Sequence, residues 1–375
     1  LEEGIPAPDH EALAVFHLKT PERARSNGRP DRASRPFEVP QKQRRLSNLP
    51  FLIQGTPPVT DPRTLILVLG VLGVLGIATV VAYLLRQRPD SGLNPALVET
   101  FWLRIRAWWL LLAVVAATFL IHRTLTIAVF GLISFWALRE FITLTPTRPG
   151  DHRALFWVFF VVTPLQFVLV GLGWYSWFAV FIPIYTFLLI PARIALADDP
   201  KRFLERIAKI QAGLLICVYC FSYAPALLTL PVGNPSGGGG SLRERLLFFF
   251  VLMVQLSDLF QYAWSQLPWK HVLAPTISPS RTLEGLLGGV LSTSLAGAAL
   301  SWATPFPYWL AGLASGLVAL MGFAGGLTMS AIKRDRGVQD YGTLLEGHSG
   351  VLDRIDSLCF AAPVFFHLSY VWLTG

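Results

Sequence analysis

Polar and apolar residues in this chain are segregated on the scale of a whole helix rather than every second or fourth position. Apolar runs begin at Leu65 and cover roughly 65–85, 107–121, 124–138, 154–173, 177–193, 208–230, 246–264, 286–303, 308–329 and 357–374. A helix needs about 20 mostly apolar residues to cross a bilayer, so the pattern predicts an all-α polytopic membrane protein of about nine to ten transmembrane helices. The runs 107–121 and 124–138 are short and can be read as one broken hairpin. Residues 1–62 differ in kind: they are polar, rich in Pro and Arg, and without sustained periodicity. Such a segment buries too little apolar surface to offset its ordering entropy, which predicts a disordered basic tail, with an arm for anionic lipid as the competing reading. The chain thus divides into a tail over 1–62, N-terminal spans over 63–245 and a C-terminal region over 246–375, where the candidate chemistry lies.

Composition agrees. The 375 residues are 53% hydrophobic and 14% charged, whereas a soluble domain carries about 25% charged residues. Basic residues collect in alternate connections: Arg86, Arg88, Arg104 and Arg106, then Arg139, Arg148 and Arg153, then Arg193, Lys201, Arg202, Arg206 and Lys209, then Lys270 and Arg281. The positive-inside bias places these in the cytoplasm and largely accounts for the net charge of +8. Ten spans put the Arg-rich tail outside, against that bias. The Gly-rich linker PVGNPSGGGGS lacks Lys and a strand–helix setting, so it reads as a flexible outside connector and not a phosphate loop. Three cysteines exclude a disulfide framework, and Cys217 and Cys220 lie within an apolar run, where a thiol is a small buried hydrophobe. No cleavable secretory signal is expected at the start. Trp102, Trp108, Trp109, Trp174, Trp177, Tyr308 and Trp309 suit interfacial anchoring, and Gly312, Ser315, Gly316, Gly322, Gly325 and Gly326 suit close helix packing.

The densest run of ionisable groups in the C-terminal half is SAIKRDRGVQDYGTLLEGHSGVLDRIDS, from Ser330 to Ser357, enclosed by two apolar runs. It predicts a polar loop held at the bilayer surface. Asp340, Asp353 and Asp356 are hard oxygen ligands of the kind Mg²⁺ takes together with substrate phosphates. Asp353 and Asp356 share a face if a helix starts there. The beginning of the last span, at Asp356 and Ser357, can help hold phosphate. Lys333, Arg334 and Arg336 can neutralise a polyphosphate, and Gly347 and Gly350 around His348 permit close backbone approach. Upstream, Asp258 and Gln261 stand at the end of an apolar helix, where an ionisable group is a functional candidate. The run SPSRTLEG (Ser278–Gly285) predicts a turn opening a helix whose N–H groups can meet phosphates.

Taken together these segments resemble the C-terminal signature of the phosphatidate cytidylyltransferases (CDP-diacylglycerol synthases). Ser330, Lys333, Arg334, Asp340, Gly347, His348, Gly350, Asp353, Arg354 and Asp356 match that signature at its spacing, and DLFQYAWSQLPWKHVLAPTISPSRTLEG resembles the upstream segment that serves CTP and metal binding. The resemblance covers about 246–375. This chain departs from the pattern at Gln339, Glu346, Ser349, Ser280 and Leu283. It also departs at Gly326, which stands where the family carries a metal-ligating Asp.

The resemblance implies the reaction CTP + phosphatidate → CDP-diacylglycerol + pyrophosphate at the cytoplasmic face of a bacterial inner membrane. It implies Mg²⁺ with room for a second cation, membrane lipids and no nucleic acid as partners, and allows a homodimer. Asp353, Asp356 and Asp340 are expected to ligate metal, with Asp258 on the metal or behind it. Lys333, Arg334 and Arg354 are expected to hold phosphates, and His348 a phosphate or the leaving pyrophosphate. Ser278, Arg281 and Thr282 are expected to contact the nucleotide. Two other readings fit the same residues: a CTP-dependent lipid or polyprenol kinase, and a catalytically weakened lipid-binding homologue.

Overall fold

The computed structural model describes residues 62–87, 102, 109, 123–144, 147–231, 239–267, 271–338 and 350–374. The chain is built from helices, each matching an apolar run: α1 (Pro62–Gln87), α2 (Arg123–Thr143), α3 (Pro149–Leu172), α4 (Tyr175–Ala195), α5 (Phe203–Thr229), α6 (Gly239–Trp264), α7 (Leu283–Ala299), α8 (Tyr308–Arg336) and α9 (Leu352–Thr374). Seven helices among the described residues are long and apolar enough to cross a membrane. α7 is shorter at 17 residues, and α1 carries an apolar stretch over Leu65–Ile77. The expected span 107–121, the tail and most of the Gly-rich linker lie outside the described residues. Among the described residues one antiparallel hairpin, β1 (Val272–Ala274) with β2 (Ser278–Thr282), interrupts the all-α pattern, with Val272 opposite Thr282 and Ala274 opposite Ser278.

Helices α3, α4 and α5 each contain a π-turn, at Val158–Val162, Phe181–Thr186 and Leu214–Cys220. Pro164 follows the first and Pro183 lies in the second, and a proline removes a backbone donor and loosens the ladder. Carbonyls freed in a bilayer must find partners within the protein. Thr163 Oγ1 donates to Val158 O (2.9 Å), Ser134 Oγ to Cys217 O (2.7 Å) and Tyr219 O–H to Ala179 O (2.9 Å).

The C-terminal helices pack through small residues. Leu287, Leu291 and Leu295 form the exposed stripe of α7, while Gly285, Gly288, Gly289 and Gly297 form its buried side. A Cβ at Gly289 would overlap Gln261 of α6, one at Gly288 would overlap Trp264, and one at Gly297 would overlap Ser315 of α8. Gly312 and Gly316 of α8 face Ser294 of α7, and Gly322 and Gly325 face Ser357, Asp356 and Phe360 of α9. Close backbone approach is what small residues contribute in a bilayer, where burying apolar surface drives nothing. The expected packing role therefore holds at these glycines.

At one end of the N-terminal spans, the buried Arg206 of α5 forms an ion pair with the buried Asp151. It also donates through Nη1 to Asp199 O (2.7 Å) and Lys201 O (3.2 Å). The Asp199 carboxyl, in the α4–α5 connection, is held below the usual carboxylate range by the Lys201 N–H and the Arg148 guanidinium.

Candidate active site

The run expected as a surface loop is helical at both flanks. Helix α8 continues to Arg336 and stops at Gly337, whose left-handed φ of +68° ends it. Helix α9 starts at Leu352, five residues before the expected boundary at 357. Ser330, Lys333 and Arg334 therefore stand on the last turns of α8, and Asp353, Arg354 and Asp356 on the first turns of α9. A helix places such residues at fixed depth, which a loop does not. Asp340 and His348, with Gln339, Glu346, Gly347 and Ser349, lie outside the described residues.

Three elements bring charge to one point. Ser357 Oγ lies 3.0 Å from Asp258 Oδ1 of α6 and 3.4 Å from Asp356 Oδ1, so both carboxylates face one hydroxyl. Asp356 lies within electrostatic range of Asp258, Arg281 and Asp353. The Arg281 guanidinium comes from β2, donates to Gln261 Oε1 (2.9 Å) and stacks 5.2 Å over the Phe323 ring. One turn outward, Lys333 Nζ donates to Asp353 Oδ1 (2.8 Å).

The absent side chain at Gly326 makes room for this arrangement. A Cβ there would overlap the Arg281 guanidinium. The position that carries a carboxylate in the family pattern thus lies against a cation in this chain.

The SPSRT run is a strand and not an open turn, and the helix after it is already capped. Thr282 is buried, and its Oγ1 accepts from Gly285 N (3.0 Å). Ser278 is buried, with Oγ 3.3 Å from Ser280 Oγ. The hairpin is tied down on both sides. Arg334 Nε donates to Ile277 O (3.2 Å), and Glu284 accepts from His271 N (3.1 Å) and faces its Nδ1 (2.6 Å). Arg354 is half-buried on α9.

At the start of α9 the N–H of Leu352, and that of Val351 just before it, already have an acceptor: both donate to Glu140 of α2. Sequence reasoning passed over Glu140, although a lone carboxylate at the end of an apolar run is a usable signal.

Among the described residues, no three Asp, Glu, His or Cys side chains gather closely enough to cage an ion. Mg²⁺ does not require that. It binds through one or two carboxylates and completes its shell with water and substrate phosphate. Asp258 and Asp356, oxygen donors turned to one hydroxyl, fit that demand.

Comparison with known proteins extends the picture beyond the C-terminal region. Residues 102–372 match the sequence model of the cytidylyltransferase family. The uncharacterized protein YnbB of Escherichia coli (strain K12) is 39% identical over 266 residues, which is 71% of this chain and 86% of that protein. A phosphatidate cytidylyltransferase of Staphylococcus epidermidis is 38% identical over 122 residues, 32% of this chain and 47% of the relative. One of Synechocystis sp. (strain ATCC 27184 / PCC 6803 / Kazusa) is 46% identical over 96 residues, 24% of this chain and 32% of the relative. The chain therefore spans about half or less of the matched phosphatidate cytidylyltransferases, and most of YnbB.

Proposed function

Because this chain belongs to the cytidylyltransferase family, we propose that it transfers the cytidylyl group of CTP to the phosphate of a membrane phosphatidate. A phosphate oxygen of the lipid bonds to the α-phosphorus of CTP, the bond from that phosphorus to the β-phosphate oxygen breaks, and pyrophosphate leaves. Two polyanions must meet at a bilayer, so positioning and charge neutralisation dominate the barrier. The observation that carries the reading is the meeting of Asp258 and Asp356 at one hydroxyl beside the docked Arg281, at the end of the helical bundle.

In this reading Asp258 and Asp356 hold Mg²⁺, with Asp340 and Asp353 as further ligands. Bound Mg²⁺ supplies charge neutralisation and alignment of the nucleotide phosphates. Arg281 and Ser278, on a hairpin anchored by Arg334 and Glu284, hold the nucleotide phosphates, and Thr282 keeps that strand seated on α7. Lys333 leaves Asp353 for an incoming phosphate, and Arg354 and His348 hold the lipid phosphate or the departing pyrophosphate. The lipid phosphate is ionised near neutral pH, so no general base is assigned. The site faces the cytoplasm of a bacterial inner membrane in this reading, in keeping with the basic connections.

The test uses the purified full chain, CTP labelled in the cytidine, phosphatidic acid and Mg²⁺. Label in a lipid product with release of pyrophosphate is the expected result. Release of CDP would mark a lipid kinase instead, and no product across several lipid phosphates and divalent metals would end the proposal.

Gly326 gives a second check. In Gly326→Ala the nearest atoms to the new Cβ are the far end of Arg281, and Ala favours a helix interior over Gly by about 1 kcal/mol. Thermal stability should stay level or rise, while the KM for CTP rises roughly tenfold, equivalent to about 1.4 kcal/mol of binding. Unchanged nucleotide affinity would remove Arg281 from the proposed site.

A further inference from the structure

One buried carboxylate, 211 residues away from its partners in the chain, joins the two halves of the molecule at the site. Glu140 stands near the end of α2 and is 5% exposed. Its Oε1 accepts from Val351 N (3.1 Å) and its Oε2 from Leu352 N (2.8 Å). The N-terminus of α9 needs this help. Helix starts leave N–H groups without partners, and the residue at the cap position is Val351, whose side chain accepts nothing. Ser, Thr, Asp or Asn ordinarily fills that place from within the same segment. Here the acceptor comes from a different helix, and its negative charge also meets the positive end of the α9 dipole.

The consequence falls on the chemistry because of what comes next in the chain. Asp353 follows Leu352 directly, and Asp356 lies one turn further on. Asp353 must meet Lys333 of α8, and Asp356 must meet Ser357 opposite Asp258 of α6. Both carboxylates take their depth and rotation from the first turn of α9, and Glu140 accepts the N–H groups at the start of that turn.

We infer that Glu140 is a positioning residue for the reaction: its carboxylate clamps the start of α9 and so sets Asp353 and Asp356 against α6 and α8. The inference rests on the function proposed above. It also assigns the N-terminal spans a part in the site, since α2 belongs to them.

The experiment compares Glu140→Gln, Glu140→Ala and wild-type full chain in detergent, by steady-state kinetics and by hydrogen exchange of the backbone amides around 350–354. Gln keeps the length and one carbonyl acceptor but turns an NH₂ group toward the other N–H. Misplacing catalytic groups by about 1 Å costs on the order of 100-fold. A kcat loss of about tenfold is expected for Gln and about 100-fold for Ala. The KM for CTP should rise as well, because Asp353 and Asp356 would hold the Mg²⁺ that binds with CTP, whereas a loss of folded protein lowers the apparent kcat alone. Exchange at Val351 and Leu352 should quicken in both variants. If Glu140→Ala does not fold, Glu140→Gln decides. Unchanged exchange at Val351 and Leu352 would overturn the clamp whatever the activity. Faster exchange with kcat unchanged would overturn its link to the chemistry, as would a kcat loss that only matches the loss of folded protein, with KM unchanged. A wild-type protein that makes no lipid product removes the proposed function itself and takes this inference with it, a result distinct from any of the variant outcomes.

Discussion

Asp356→Ala should lower lipid-linked product formation by about a thousandfold or more, a barrier increase of about 4 kcal/mol, without unfolding the bundle. In the proposed site Asp356 is one of two carboxylates facing the same hydroxyl. Removing it takes away one of the two carboxylates at the centre of the proposed site and leaves Asp258, with Asp353 and Asp340, to hold the cation. Asp356 also lies within electrostatic range of two like charges, Asp258 and Asp353. Gathering like charges costs stability, and functional sites commonly carry such a cost. The variant should therefore melt at the wild-type temperature or above while losing turnover and Mg²⁺-dependent CTP binding. Labelled-product assays, titration calorimetry with and without Mg²⁺, and thermal unfolding read these quantities separately. Activity kept within tenfold of wild type would show that this carboxylate is not a ligand.

Arg206→Ala should destabilise the protein by about 3 kcal/mol, the lower end of what breaking a buried ion pair costs, because this pair sits near the end of the bundle. Arg206 pairs with Asp151, and the two side chains are 4% and 2% exposed. Arg206 also donates to Asp199 O and Lys201 O, holding the α4–α5 connection. Without it, Asp151 keeps a hydrogen bond from Arg148 N (3.1 Å) but loses its buried counter-charge. The double variant Arg206→Met with Asp151→Leu should recover most of the loss, since apolar replacement of a whole buried pair is often neutral. Thermal unfolding of the single and double variants in one detergent measures both. A single variant as stable as wild type would contradict the burial of the pair.

Much of this protein is legible one residue at a time. In a bilayer every backbone polar group must be satisfied within the protein, so a long apolar run has few alternatives to a helix. The described helices accordingly follow the apolar runs, and the small residues of α8 mark its packing faces before any partner is known. The residues from Ser330 to Asp356 stand out by their density of charge and by their resemblance to the phosphatidate cytidylyltransferase signature.

Helix ends near charge were harder to place. Lys333, Arg334 and Arg336 read as loop by polarity, yet the helix runs to Gly337 because Lys and Arg are good helix formers and their charge favours a helix C-terminus. SPSRT reads as a turn, yet pairing with Val272 and Ala274 makes it a strand. The apolar pattern carried no information on either point.

The amino-acid order by itself determined a membrane-crossing helical fold, the glycine faces and a family-like set of acidic and basic residues, because each depends on a residue's own chemistry and its near neighbours. Tertiary structure alone decided that Arg281 fills the space above Gly326, that Ser357 brings Asp258 and Asp356 together, and that Glu140 caps a helix starting 212 residues later. Those contacts join helices far apart in sequence, and their geometry is set by how the helices pack, which no local pattern encodes.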